Sequence, residues 1–126
     1  MTNLWVKGYA ALASTLFVGS TILPAYAHAD LAETVPSLTE ALTTSPEELR
    51  LTFTESVEIA FSEVSIVDSE KTEIQVGELS LDPEDNKTLV VPIEVALVAG
   101  TYTVEWAVVS ADGHKIEGSY DMTIAP

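Results

Sequence analysis

Tyr102, Val104, Trp106 and Val108 occupy alternate positions with Thr101, Thr103 and Glu105 between them. After a short polar break, Ile116, Tyr120, Met122 and Ile124 alternate in the same way with Glu117, Ser119, Asp121 and Thr123. A helix would bring apolar residues back every three or four positions, whereas strict alternation puts them all on one side of an extended chain. The two runs therefore predict a hairpin with one buried and one wet face. Tyr102 and Trp106 fall on the buried face and read as core.

The same period recurs upstream. Leu49, Leu51 and Phe53 alternate with Arg50, Thr52 and Thr54, and Val64 and Ile66 follow in a second run. Ile74 to Leu81 and Thr88 to Val95 form two more, joined by "DPEDNK", a strong polar turn signal. With Ala29 to Val35 as a first strand the count is about seven. This predicts an all-β fold, a small Greek-key β-sandwich or barrel of the Ig-like or cupredoxin-like kind. "TEALTTSPEE", Thr39 to Glu48, reads either as a surface loop or as one helical turn ended by Pro46. There is no internal repeat and no low-complexity linker.

Residues 1–27 read as a secretory signal. Lys7 is their one charged residue, Gly8 to Leu23 is apolar, Pro24 breaks the run, and Ala25, Tyr26 and Ala27 supply the small-x-small cleavage pattern. The apolar stretch is short for a membrane span, which needs about 20 residues. No other segment is apolar for long enough to cross a bilayer. Cleavage after Ala27 would leave one exported domain, residues 28–126, beginning at His28.

That domain would carry four basic and all twenty acidic residues, a net charge of −16. Such a surface repels nucleic acid and attracts cations. The acids are scattered, which also suits a simple solvated surface. The chain has no cysteine, so thiolate metal or redox chemistry is excluded. Its methionines are Met1, which leaves with the signal, and Met122 on a buried strand face, so a thioether site for Cu(I) cannot be assembled.

There are two histidines, His28 and His114. Processing would give His28 a free α-amine beside its imidazole, and the two nitrogens can chelate one metal. An unperturbed α-amine has a pKa of about 7.7 to 8.0, so a metal displaces its proton at modest cost near neutrality. His114 lies in the hairpin loop "SADGHK", Ser110 to Lys115, two residues after Asp112. In a locally extended path their side chains project to the same side, and Gly113 between them adds no bulk. If His28 lies at the same end of the sandwich, His28, Asp112 and His114 offer three nitrogens and a carboxylate oxygen. That donor set favours Cu(II), with Zn(II) as the competing metal. Glu55 shares the parity of Leu49, Leu51 and Phe53. It reads either as a carboxylate orienting a ligand histidine or as a strand-end acid turned to water. No nucleophile dyad, phosphate loop or pair of catalytic carboxylates accompanies these residues, so the chain does not read as an enzyme.

Several blocks together resemble the CopC family of periplasmic copper-binding proteins, in its shorter, methionine-poor, YobA-like form. They are "HADL" from His28, "LRLTFTESVE" from Leu49, "FSEVSIVD" from Phe61, "LVVPI" from Leu89 and "AGTYTVEWAVVSADGHKIEGSYDMTI" from Ala99. The last is the most specific. The resemblance implies a Greek-key β-barrel or sandwich and a Cu(II) site made by His28 through amine and imidazole, by Asp112 and by His114. Glu55 corresponds to a carboxylate that some members place near the metal. Longer members carry a methionine-rich loop with a further histidine that binds Cu(I). The matching region here, around Ile74 to Asn86, has neither residue, so a single Cu(II) site is implied.

The function that follows is that of a non-enzymatic Cu(II) carrier or sequestering protein outside the cytoplasmic membrane. It would hand copper to an inner-membrane importer of the CopD type. Two alternatives come from other classes: a monooxygenase-like copper oxidase, which also uses an N-terminal histidine chelate, and a metal-free Ig-like interaction module.

Overall fold

The computed structural model describes residues 30–126. Eight strands run in the order β1 (Leu31–Val35), β2 (Glu48–Phe53), β3 (Glu63–Val67), β4 (Glu73–Ile74), β5 (Ser80–Asp82), β6 (Asp85–Pro92), β7 (Gly100–Val109) and β8 (Lys115–Ile124). A single 3-10 turn, Ile59–Phe61, precedes β3. No helix among the described residues is long and apolar enough to cross a membrane.

The strands form two antiparallel sheets, one in the order β1-β2-β6-β5 and the other β4-β3-β7-β8. The chain changes sheet after β2, after β4 and after β6. As a result β2 lies beside β6 and β3 beside β7, the crossed pairing of a Greek-key sandwich.

The alternation seen in the sequence is the inside-outside pattern of these sheets. Leu49, Leu51 and Phe53 of β2, Leu89 and Val91 of β6, Val64 and Ile66 of β3, and Tyr102, Val104, Trp106 and Val108 of β7 are all buried. Met122 and Ile124 of β8 close the core. Each such side chain contributes about 1.5–3 kcal/mol by leaving water. Phe53 and Trp106 meet edge to face across the sandwich, ring centres 5.2 Å apart and planes at 71°. The predicted hairpin is present, paired without interruption from Gly100↔Ile124 to Val109↔Lys115.

Three local expectations are refined. The run from Ile74 to Leu81 is two short strands in different sheets, β4 and β5, which raises the count from about seven to eight. The stretch Thr39 to Glu48 forms no helical turn. It is a loop whose Leu42 donates to Thr123 O at 2.8 Å and accepts from Ala125 N at 2.7 Å, tying it to the end of β8. The first strand covers Leu31–Val35, while Ala29 lies outside the described residues.

Tyr120 is half-buried, and desolvation pushes its phenol up to about 12. Burial favours the neutral phenol, whereas an unfolded tyrosine ionises near about 10. Stability should therefore fall as pH rises from about 10 to about 12. A tyrosinate absorbance titration should show a step near the upper value that Tyr120→Phe removes. Retention of that step in the variant would assign it elsewhere.

Candidate metal centre

The loop joining β7 to β8 is built from the backbone outward. Gly113 N donates to Ser110 O at 2.8 Å, closing a four-residue turn, and Ser110 N donates to His114 O at 2.9 Å. Gly113 has φ +88°, a conformation that costs a side-chain-bearing residue energy and glycine little. A turn followed by a left-handed glycine is a favoured three-residue hairpin connection. Asp112 and His114 do converge, although by this turn and not by the extended path expected from their spacing.

His114 Nδ1 lies 2.9 Å from Asp112 Oδ2. The other carboxylate oxygen, Oδ1, accepts the Ser110 hydroxyl and the His114 backbone N–H, the latter at 3.2 Å. The Ser110 hydroxyl, the His114 ring and the His114 amide, in that order, hold the Asp112 carboxyl well below the usual carboxylate range. The carboxylate is thus a fixed negative charge throughout the neutral and mildly acidic range.

The N–O separation has a direct chemical meaning. Two ligand atoms each about 2.0 Å from one metal, at right angles to one another, stand about 2.8–2.9 Å apart. The 2.9 Å between Asp112 Oδ2 and His114 Nδ1 is an ordinary hydrogen-bond length and also matches neighbouring ligands in a square-planar set, and both side chains are solvent-accessible, 37% and 58% exposed. Among the described residues no group of three or more His, Cys, Asp or Glu side chains could hold a metal. Asp112 and His114 are two donors at most, and a metal held there would need others.

His28 lies outside the described residues, yet the surroundings of residue 30 are defined. Asp30 N donates to Thr54 Oγ1, and Thr54 N donates to Asp30 O, both at 2.9 Å. Two residues on, Ser56 O accepts the N–H of Ala111 at 2.9 Å, and Val57 forms an antiparallel bridge with Ser110. The first described residue and the Asp112–His114 loop are therefore stitched to the same short segment, Thr54 to Val57, at one end of the sandwich.

Glu55 lies in that segment. Strand β2 ends at Phe53, and Thr54 and Glu55 are both exposed, so Glu55 does not extend the buried row of Leu49, Leu51 and Phe53. Its exposure fits the reading of an acid turned to water. Ser110 was not singled out in the sequence, although its hydroxyl and its place two residues before Asp112 were visible there.

A family model described as the CopC domain matches residues 31–125. Protein YobA of Escherichia coli K12 is 35% identical over 113 residues, covering 89% of this chain and 91% of that protein. Among solved structures, CopC from Methylosinus trichosporium OB3b superposes with a TM-score of 0.72 at 32% identity, over 79% of this chain and 95% of that one. PcoC, a methionine-rich copper resistance protein from Escherichia coli, superposes with a TM-score of 0.69 at 30% identity, over 78% and 99% respectively. Matched along nearly all of its described length in sequence and in fold, the chain belongs to the CopC family.

Proposed function

We propose that this protein is an exported Cu(II) carrier whose single site is formed by His28, Asp112 and His114. Relatives named copper resistance protein C and copper transport protein CutJ, and the structural match to the copper resistance protein PcoC, support a role in copper handling without catalysis. The observation that carries the reading is the 2.9 Å pairing of the Asp112 carboxylate with an imidazole nitrogen, beside the segment that anchors residue 30. Residue 28 precedes Asp30 by two peptide units. Consecutive Cα atoms are about 3.8 Å apart, so its Cα lies within about 8 Å of that of Asp30. In this proposal the amine and imidazole of a processed His28 complete a four-donor set with Asp112 and His114.

The proposed oxidation state rests on the proposed donors. Imidazole, amine and carboxylate suit Cu(II), and Cu(I) prefers the sulfur ligands this chain lacks: it has no cysteine, and Met122 is buried in the core. We read residues 1–27 as a cleaved signal and the mature domain as residues 28–126 in the periplasm. Its strongly negative surface would concentrate cations near the site. Delivery to a separate CopD-type membrane importer, with sequestration as the simpler role, completes the proposal.

The test is a Cu(II) titration of the processed protein, starting at His28, followed by electron paramagnetic resonance. Wild type should bind one Cu(II) with nitrogen and oxygen donors. His114→Ala should weaken binding by about a hundredfold, or about 2.7 kcal/mol. Glu55→Gln should change it by no more than about twofold, as its side chain faces water. Equal affinity in wild type and His114→Ala would overturn the assignment.

A further inference from the structure

We infer that Ser110 is a positioning residue of the metal site: its buried hydroxyl holds one oxygen of the Asp112 carboxylate so that the other is presented beside His114 Nδ1. The inference rests on reading Asp112 and His114 as metal donors.

Ser110 is 1% exposed, the most deeply buried polar side chain among the described residues. It ends the β7 side of the hairpin, bridged to Val57, where an apolar side chain would pack without a desolvation cost. A hydroxyl buried there is unfavourable by about 1–3 kcal/mol unless it is hydrogen-bonded. Its contacts run to Asp112 Oδ1 and, at 3.3 Å, to the carbonyl of His114. One hydroxyl carries one proton, and the ionised carboxylate is the stronger acceptor.

The turn itself does not need this hydroxyl. Ser110 N to His114 O and Gly113 N to Ser110 O close it through the backbone alone. What the hydroxyl adds is control over the carboxylate. Asp112 lies on a solvent-facing loop, and a carboxylate with no fixed partner turns freely about its Cβ–Cγ bond. Here the Ser110 hydroxyl and the His114 amide both take Oδ1, which leaves Oδ2 facing the ring nitrogen. The two oxygens thereby have different tasks, one bonded to the scaffold and one directed to the cargo. Such supporting hydrogen bonds typically contribute 10- to 100-fold (roughly) in metal affinity.

The test compares processed wild type, Ser110→Ala and Ser110→Thr by Cu(II) competition titration and electron paramagnetic resonance, with thermal unfolding of the metal-free forms alongside. Ser110→Ala should bind Cu(II) about 10- to 100-fold more weakly, with an altered copper hyperfine pattern, and Ser110→Thr should restore both. Should the alanine variant not fold, Ser110→Thr and Ser110→Val have nearly the same shape and differ in the hydroxyl, so the valine form alone should lose affinity. Equal affinity and spectra with and without the hydroxyl would overturn the inference even if stability changed. Failure of the wild type to bind Cu(II) would instead overturn the functional reading on which it depends.

Discussion

Adding one residue ahead of His28 is expected to lower Cu(II) affinity by about two orders of magnitude or more, while the thermal unfolding of the metal-free domain stays the same. The added peptide bond converts the α-amine of His28 into an amide. That amide nitrogen holds its proton far more tightly than an ammonium does, and the proposed four-donor set is cut back to two ring nitrogens and a carboxylate. The Asp112–His114 pair is untouched by the change, because its geometry is held by the hairpin turn and by Ser110. A residual weak site made by that pair should therefore survive. The measurement is a competition titration on the extended and processed proteins side by side, and equal affinity would remove the amine from the donor set. Acidification separates the donors further. Asp112 is held ionised to well below its ordinary range, so copper released on mild acidification reports protonation of the nitrogen donors.

Replacing Gly118 by valine should destabilise the domain by about 2–3 kcal/mol or more, and by alanine somewhat less. Gly118 on the edge strand β8 pairs directly with Trp106 on β7. A Cβ at Gly118 would stand 2.3 Å from Trp106 Cζ2 and 2.7 Å from Cε2, far inside van der Waals contact. Phe53 meets the ring edge to face in the core, which limits its retreat on that side. Its Nε1 has no hydrogen-bond partner among the described residues, so packing alone holds it in place. The glycine is thus a seat for the indole, an aromatic covering a gap in an edge strand. Urea unfolding followed by Trp106 fluorescence would measure the loss, since the other tryptophan, Trp5, lies in the segment read as a signal. Unchanged stability in both variants would mean that the indole repacks freely.

The two sites should respond independently. Gly118 lies in the interior of β8, and the Asp112–His114 loop lies before its first residue, Lys115. The Gly118 variants should accordingly keep their Cu(II) affinity under conditions where they remain folded, whereas the N-terminal extension should keep stability and lose affinity. Sites with no shared contacts behave additively.

Much of the core was legible because alternation in a strand is a local property. Whether Tyr102, Val104, Trp106 and Val108 share a face depends only on the extended backbone between them, and all four are buried. The pairing of Asp112 with His114 was legible for a similar reason, being confined to one loop, although the turn that achieves it was misread as extended. Glu55 could not be resolved by the same logic. Parity predicts facing only while the strand continues, and β2 stops at Phe53.

From residue order alone came the two-faced strands, the acidic and sulfur-poor composition, and the Asp112–His114 pair of "DGH". Tertiary structure decided that Ile74 to Leu81 divides between the sheets, that Ser110 is sealed beneath the loop, and that Thr54 to Val57 ties residue 30 and the late hairpin to one end of the sandwich. The difference is physical. Side-chain direction along a strand is set by neighbouring bonds, whereas the meeting of segments more than 50 residues apart is set by how two twisted sheets close over a shared core, which no local pattern encodes.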